Sequence, residues 1–114
     1  MTQKWHQLAQ LADLVFAREA AKLADLRKRE QRIVARHRKL EALNDKALND
    51  LAQPHPIHWQ SGDVLWQTWV SKNARDLNME QARVRALSET LRPALKRAFG
   101  RKLVLAELTK RETH

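Results

Sequence analysis

The sequence predicts an all-α protein, an antiparallel two-helix coiled-coil hairpin, on three observations. Every seventh residue from Val70 to Leu105 is apolar (Val70, Leu77, Val84, Leu91, Ala98, Leu105), and Leu87, Ala94 and Leu108 form a second file three residues on. Steps of three and four put both files on one helix face, and so long a repeat needs a partner helix along its length. Composition agrees. The 114 residues include two Gly, three Pro, no Tyr and two Phe, and Ala, Leu, Lys, Arg, Glu and Gln dominate. That is the mix of a long-helix protein, not of a sandwich or an α/β enzyme. Finally, Pro54 and Pro56 sit together near the middle of the chain and mark one reversal. The expected organisation is a single domain, with a helix over 2–52, a loop over 53–62 and a helix over 63–111. Such a hairpin has a seam rather than a thick core, so its stability is expected to be modest.

The first helix opens near Thr2, a plausible N-cap, and meets neither Gly nor Pro before the loop. About 50 residues at about 1.5 Å each make a rod of roughly 75 Å. Its seam reads Trp5, Leu8, Ala12 and Val15/Phe16, shifts through Ala20, then settles into Leu23, Leu26, Glu30, Ile33, His37, Leu40, Asn44, Ala47 and Leu51. The shift looks like an inserted four-residue step, which locally unwinds a supercoil. Glu30, His37 and Asn44 put polar groups in successive layers, which weakens a seam but helps fix its register. Glu30 and His37 either lean outward into water or leave the middle loose for another protein to grip. A lone seam histidine is more often tolerated than used as a pH switch.

In the loop, Pro54 and Pro56 hold the chain extended, Gly62 adds freedom, and Ser61 or Asp63 can cap the next helix. His55 and His58 form an HxxH pair, too few ligands for a zinc site without Cys or a second pair. No metal or other cofactor is expected. Trp59, Trp66 and Trp69 gather at this end, and Trp66 and Trp69, three apart, share a helix face. They read as a plug for the hairpin tip or as a partner-binding hot spot.

The second helix meets Pro93, which removes one backbone hydrogen bond and clashes with the carbonyl of Glu89, and then Gly100. The apolar repeat continues through both, which favours one helix kinked at Pro93 over two helices.

Charge carries the functional reading. Lys and Arg number 22 against 13 Asp and Glu, a formal net charge of +9. Such an excess attracts nucleic acid, anionic lipid or acidic protein surfaces. One basic run holds Arg27, Lys28, Arg29, Arg32, Arg36, Arg38 and Lys39, with Glu30 as its one acid. The other holds Arg92, Lys96, Arg97, Arg101 and Lys102, with no acid from Thr90 to Ala106. Folding at about residue 57 brings together positions whose numbers sum to roughly 115. The second run then faces Asp13 and Glu19, and the first faces Asp76 and Glu80, so part of the charge is neutralised across the hairpin. The lack of Cys suits a reducing cytosol. No apolar run approaches the roughly 20 residues of a membrane span. The N-terminus has no signal-peptide core, so a cytoplasmic location is expected. No Ser/His/Asp set, Cys/His set or phosphate loop occurs, and a thin hairpin lacks a substrate-sized pocket, so an enzyme is not expected.

The layout resembles the FliJ family and its YscO-type relatives of type III secretion. The resemblance rests on Leu8-Ala9-Gln10-Leu11-Ala12, on the Arg/Lys-rich run to Leu43, and on Leu65-Trp66-Gln67-Thr68-Trp69-Val70 opening the second helix. Pro93 and Gly100 depart from that layout. The resemblance implies a coiled-coil component of the flagellar protein-export apparatus, similar to the stalk of rotary ATPases. It implies a hairpin in the ring of the export ATPase that contacts the export gate or export chaperones, peripheral to the inner membrane through them. The contact residues expected are Arg27, Arg29, Arg32, Arg36 and Arg38, then Arg92, Lys96, Arg97, Arg101 and Lys102, with Trp66 and Trp69. Two readings of other classes stand beside it: a basic coiled coil that binds nucleic acid, and a generic coiled-coil adaptor or homodimer. A monomeric hairpin is expected over a homodimer.

Overall fold

The computed structural model describes residues Thr2–Leu51 and Trp59–Glu112, and all of them are helical: α1 is Thr2–Leu51 and α2 is Trp59–Glu112. The fold is the all-α helical hairpin that the heptad files require. α2 starts at Trp59, before the expected 63, so Trp59 to Gly62 belong to the helix and not to the loop. The physical reason is that the last proline is Pro56 and a single glycine costs a helix only about 1 kcal/mol. The turn itself, with Pro54, His55, Pro56 and His58, lies outside the described residues, as does the side chain of Trp59. α2 runs through Pro93 and Gly100 as one helix. No helix among the described residues is long and apolar enough to cross a membrane.

The chain falls into two compact units, the first within Met1–Lys28 and Arg85–His114, the second within Arg29–Val84. Each pairs α1 with α2 antiparallel. In the first, Phe16 meets Phe99 and Trp5 meets Thr109. In the second, Arg36 meets Glu80 and Asn44 meets Trp66. Within each unit, lower numbers on α1 go with higher numbers on α2.

In the first unit the α1 seam is Trp5, Ala9, Ala12, Phe16, Glu19, Leu23 and Leu26, all buried or half-buried, in unbroken steps of four and three. The expected register shift is therefore not present. Leu8 and Val15 face outward, and Ala9 and Glu19 hold the seam positions. Glu19 is tolerated there because its carboxylate reaches the edge and accepts from Lys22 Nζ at 3.0 Å. Phe16 fills the neighbouring layer against Phe99, with ring centroids 5.5 Å apart. On α2 the apolar file holds through Leu91, Ala98 and Leu105. Leu87 does not share the seam: it is 49% exposed and Ser88 takes that place. Ala94 and Leu108 are half-buried. At the end of this unit Thr109 Oγ1 donates to the Leu105 carbonyl (2.8 Å) and stands 3.5 Å from the Trp5 carbonyl.

The second unit is anchored by Ile33 and Val84, 1% and 0% exposed, with Leu40 also buried. Each such side chain contributes about 2 kcal/mol of burial. Val70 and Leu77 continue the α2 file, half-buried. Glu30, His37 and Asn44 stay in the seam, half-buried. His37 does not lean into water: its Nε2 is enclosed and has no hydrogen-bond partner among the described residues.

Candidate functional site

The expected contact residues divide between the units: Arg29, Arg32, Arg36 and Arg38 in the second, and Arg27 with Arg92, Lys96, Arg97, Arg101 and Lys102 in the first. A continuous helix holds them in place, and heptad spacing decides where each one points. Residues seven apart share a column. In the second unit Arg29 and Arg36 therefore share a column with Leu43 beside the seam, while Arg32 and Lys39 share the next column outward. All are exposed. Arg36 Nη1 stands 3.9 Å from Glu80 Oε2 across the hairpin, with the Arg36 side chain largely in solvent and that of Glu80 41% exposed. A pair so long and so wet contributes under about 1 kcal/mol, so it marks register more than it holds the fold. It does realise the pairing of the basic run with Glu80.

Beside that pair a groove of about 440 Å³ runs between the helices. Arg36, Lys39 and Leu43 line it from α1, and Trp69, Asp76 and Glu80 from α2. Its chemistry is mixed: cations, carboxylates and one aromatic wall. Trp66 and Trp69 stack, centroids 5.2 Å apart and planes at 26°. Their roles differ. Trp66 is half-buried and its Nε1 donates to Asn44 Oδ1 at 3.2 Å, which gives the polar seam residue its partner. Trp69 is 46% exposed and presents a face to the groove.

In the first unit the basic run of α2 wraps the helix instead of forming one face. Arg92 shares a column with Phe99, whereas Arg101 lies between Ala94 and Leu108 on the other flank. Arg92 Nη1 is held by Glu89 at 3.3 Å. Glu19 is taken up by Lys22 within α1. Lys102 departs from the sequence reading most. It is half-buried in the seam, with Nζ 4.7 Å from the centroid of the Phe16 ring. Its ammonium is committed to that ring face, a cation–π contact worth about 0.5–1 kcal/mol. Arg27, Lys96, Arg97 and Arg101 are exposed.

Sequence reasoning missed a second kind of surface. Leu8, Leu11, Leu14 and Val15 on α1 and Val104 on α2 are exposed apolar side chains in the first unit. The available signal was an excess of leucines and valines over seam positions, and it was hidden by placing Leu8 and Val15 in the seam. Among the described residues no group of three His, Asp or Glu side chains converges to hold a metal ion. Comparison with family models, with curated proteins and with solved structures finds no match to this chain.

Proposed function

We propose that the protein is a non-enzymatic, cytoplasmic coiled-coil component of the flagellar protein-export apparatus, a stalk-like hairpin that meets the export ATPase ring and the export gate or export chaperones. The observation that carries this reading is the exposed arginine set of the second unit. Arg29, Arg32, Arg36 and Arg38 stand on one continuous helix and are exposed, and among the described residues Arg36 alone of the four has a cross-helix carboxylate within 4 Å, at 3.9 Å. Guanidinium groups spaced along a helix meet acidic side chains lining a ring without rearrangement of either backbone, and they set orientation and association rate. Trp69 adds an aromatic face next to them. The layout Leu8 to Leu43 and Leu65 to Val70, which resembles the FliJ and YscO-type proteins, supplies the identity of the machine in this proposal.

The test is capture of a purified export ATPase by the full chain, repeated with Arg29→Glu, Arg32→Glu and Arg36→Glu combined, alongside restoration of motility in a strain lacking the protein. Loss of both capture and motility is expected. Full capture and full motility by the triple variant would overturn the reading. A net charge of +9 with those same exposed arginines favours nucleic-acid binding as the second reading. Its mark is a gel shift at physiological salt that the triple variant abolishes.

A further inference from the structure

We propose that the first unit carries a docking groove for an acidic amphipathic helix of a partner protein, a site that stands whether or not the export reading holds. The groove has a volume of about 170 Å³. Leu8, Leu11 and Val15 wall it on α1, and Arg101 and Leu105 on α2. Its floor is Ala12 and Ala98, both buried. Positions 8, 11, 12 and 15 follow the helical spacing of a single face, and so do 98, 101 and 105. This face is additional to the seam, since Leu11 is 57% exposed. The hairpin thus presents a second apolar stripe with a recessed floor.

The shape selects the kind of occupant. Two alanines side by side leave a shallow channel between raised leucine walls, and a channel between two helices receives the side-chain ridge of a third. An anionic membrane asks instead for a protruding apolar face, because its acyl chains have no ridge to seat. The charge selects the occupant's sign. Arg101 stands in the wall itself. Arg18 lies seven residues after Leu11 and Lys4 seven before it, so both extend that column. Arg97 lies four residues before Arg101 on the facing helix. All four are exposed. A second copy of this chain would bring the same cations against one another. A helix with aliphatic side chains at i, i+3, i+4 and i+7, and Asp or Glu flanking them, fills the channel and meets the rim.

The experiment uses the full chain and a labelled helical probe peptide, with leucines at that spacing and glutamates elsewhere, read by fluorescence anisotropy. A peptide of identical composition in scrambled order is the control. Binding of the patterned peptide alone is expected, weakened about tenfold or more by Leu11→Glu and severalfold by Arg101→Glu. Leu11 is exposed, so the variant keeps its helical circular dichroism. The proposal is overturned by no binding of the patterned peptide, by equal binding of both peptides, or by unchanged affinity in Leu11→Glu. It is also overturned if light scattering shows a dimer that Leu11→Glu dissolves, which makes the face a self-association surface. Phosphatidylglycerol vesicles that bind the chain through Leu11 in place of the peptide overturn it in favour of a membrane.

Discussion

The two units solve the same packing problem with opposite weaknesses. In the first, α2 carries Pro93 and Gly100, while the seam holds Phe16, Leu23, Leu26, Leu91 and Ala98. In the second, α2 from 64 to 84 has neither residue, while α1 sets Glu30, His37 and Asn44 in successive seam layers. Backbone faults fall where apolar side chains interlock around single polar seam residues (Glu19, Ser88, Lys102), and three successive polar layers of α1 fall where α2 has neither fault from 64 to 84. The aromatic contacts follow the same division. Phe16 against Phe99 adds apolar packing to the first unit, whereas Trp66 in the second spends its N–H on the polar Asn44. A helix pair can tolerate either fault, because hydrogen bonds along the axis and apolar contacts across it are separate sources of stability.

The largest effect that would break this comparison is expected at Ile33. It is fully buried in the unit whose other α1 seam file is polar, so few neighbours can close the cavity. Ile33→Ala should cost about 3 kcal/mol, read as a lower urea midpoint by circular dichroism. Phe16→Ala in the first unit should cost about 2 kcal/mol, since Phe99 remains 45% exposed and its partner contact is only partly desolvated. If Phe16→Ala were the more damaging, the second unit would not depend on its few buried anchors.

Next in size is Pro93. Replacing it with Ala returns an N–H to the carbonyl of Glu89 and removes the ring clash, worth about 3 kcal/mol in a helix interior. The freer unfolded chain takes back up to about 1 kcal/mol. Pro93→Ala should therefore raise stability by about 2 kcal/mol. A fall in the melting temperature would mean that the local geometry at Pro93 is needed for the packing of Leu91 and Ala98. In the second unit, His37→Leu should stabilise by about 1–2 kcal/mol, because an enclosed Nε2 with no partner among the described residues is replaced by an apolar group. Destabilisation would show that a group outside the described residues, or water, satisfies that nitrogen.

How far the sequence discloses the structure depends on what sets each feature. The apolar file of α2 is legible because one requirement, burial at period 3.5, selects every member of it. The partner file is not: position 88 is Ser and 87 is Leu, and helix geometry places Ser88 in the seam whatever its polarity. The same holds at Ala9 and Glu19, where the eye follows Leu8 and Val15. A heptad is a statement about angle, and residue size is only a proxy for it. The arginines at 29 to 38 were legible as exposed because a guanidinium stays in water unless a buried partner holds it. Lys102 was not, since its placement over Phe16 depends on which α1 residue occupies the facing layer. The groove of the first unit is hidden from the sequence for the same reason, because it opens only once Leu8 and Val15 stand outside the seam.

Gly100 gives the smallest and cleanest comparison. It lies inside α2, is half-buried, and has no positive φ. A Cβ built there meets nothing within 4 Å. Nothing in the folded state therefore requires glycine, and what remains is the entropy that glycine loses on entering a helix. Gly100→Ala should stabilise by about 0.5–1 kcal/mol, through the unfolded chain and without a new contact. The gain should add to that of Pro93→Ala, because the two act through local backbone terms and share no side-chain partner. A double variant that gained clearly less than the two together would show that a bend at Pro93 already sets the helix path at Gly100. A full gain would place the backbone fault of the first unit in two independent positions, each separable from the seam that compensates for it.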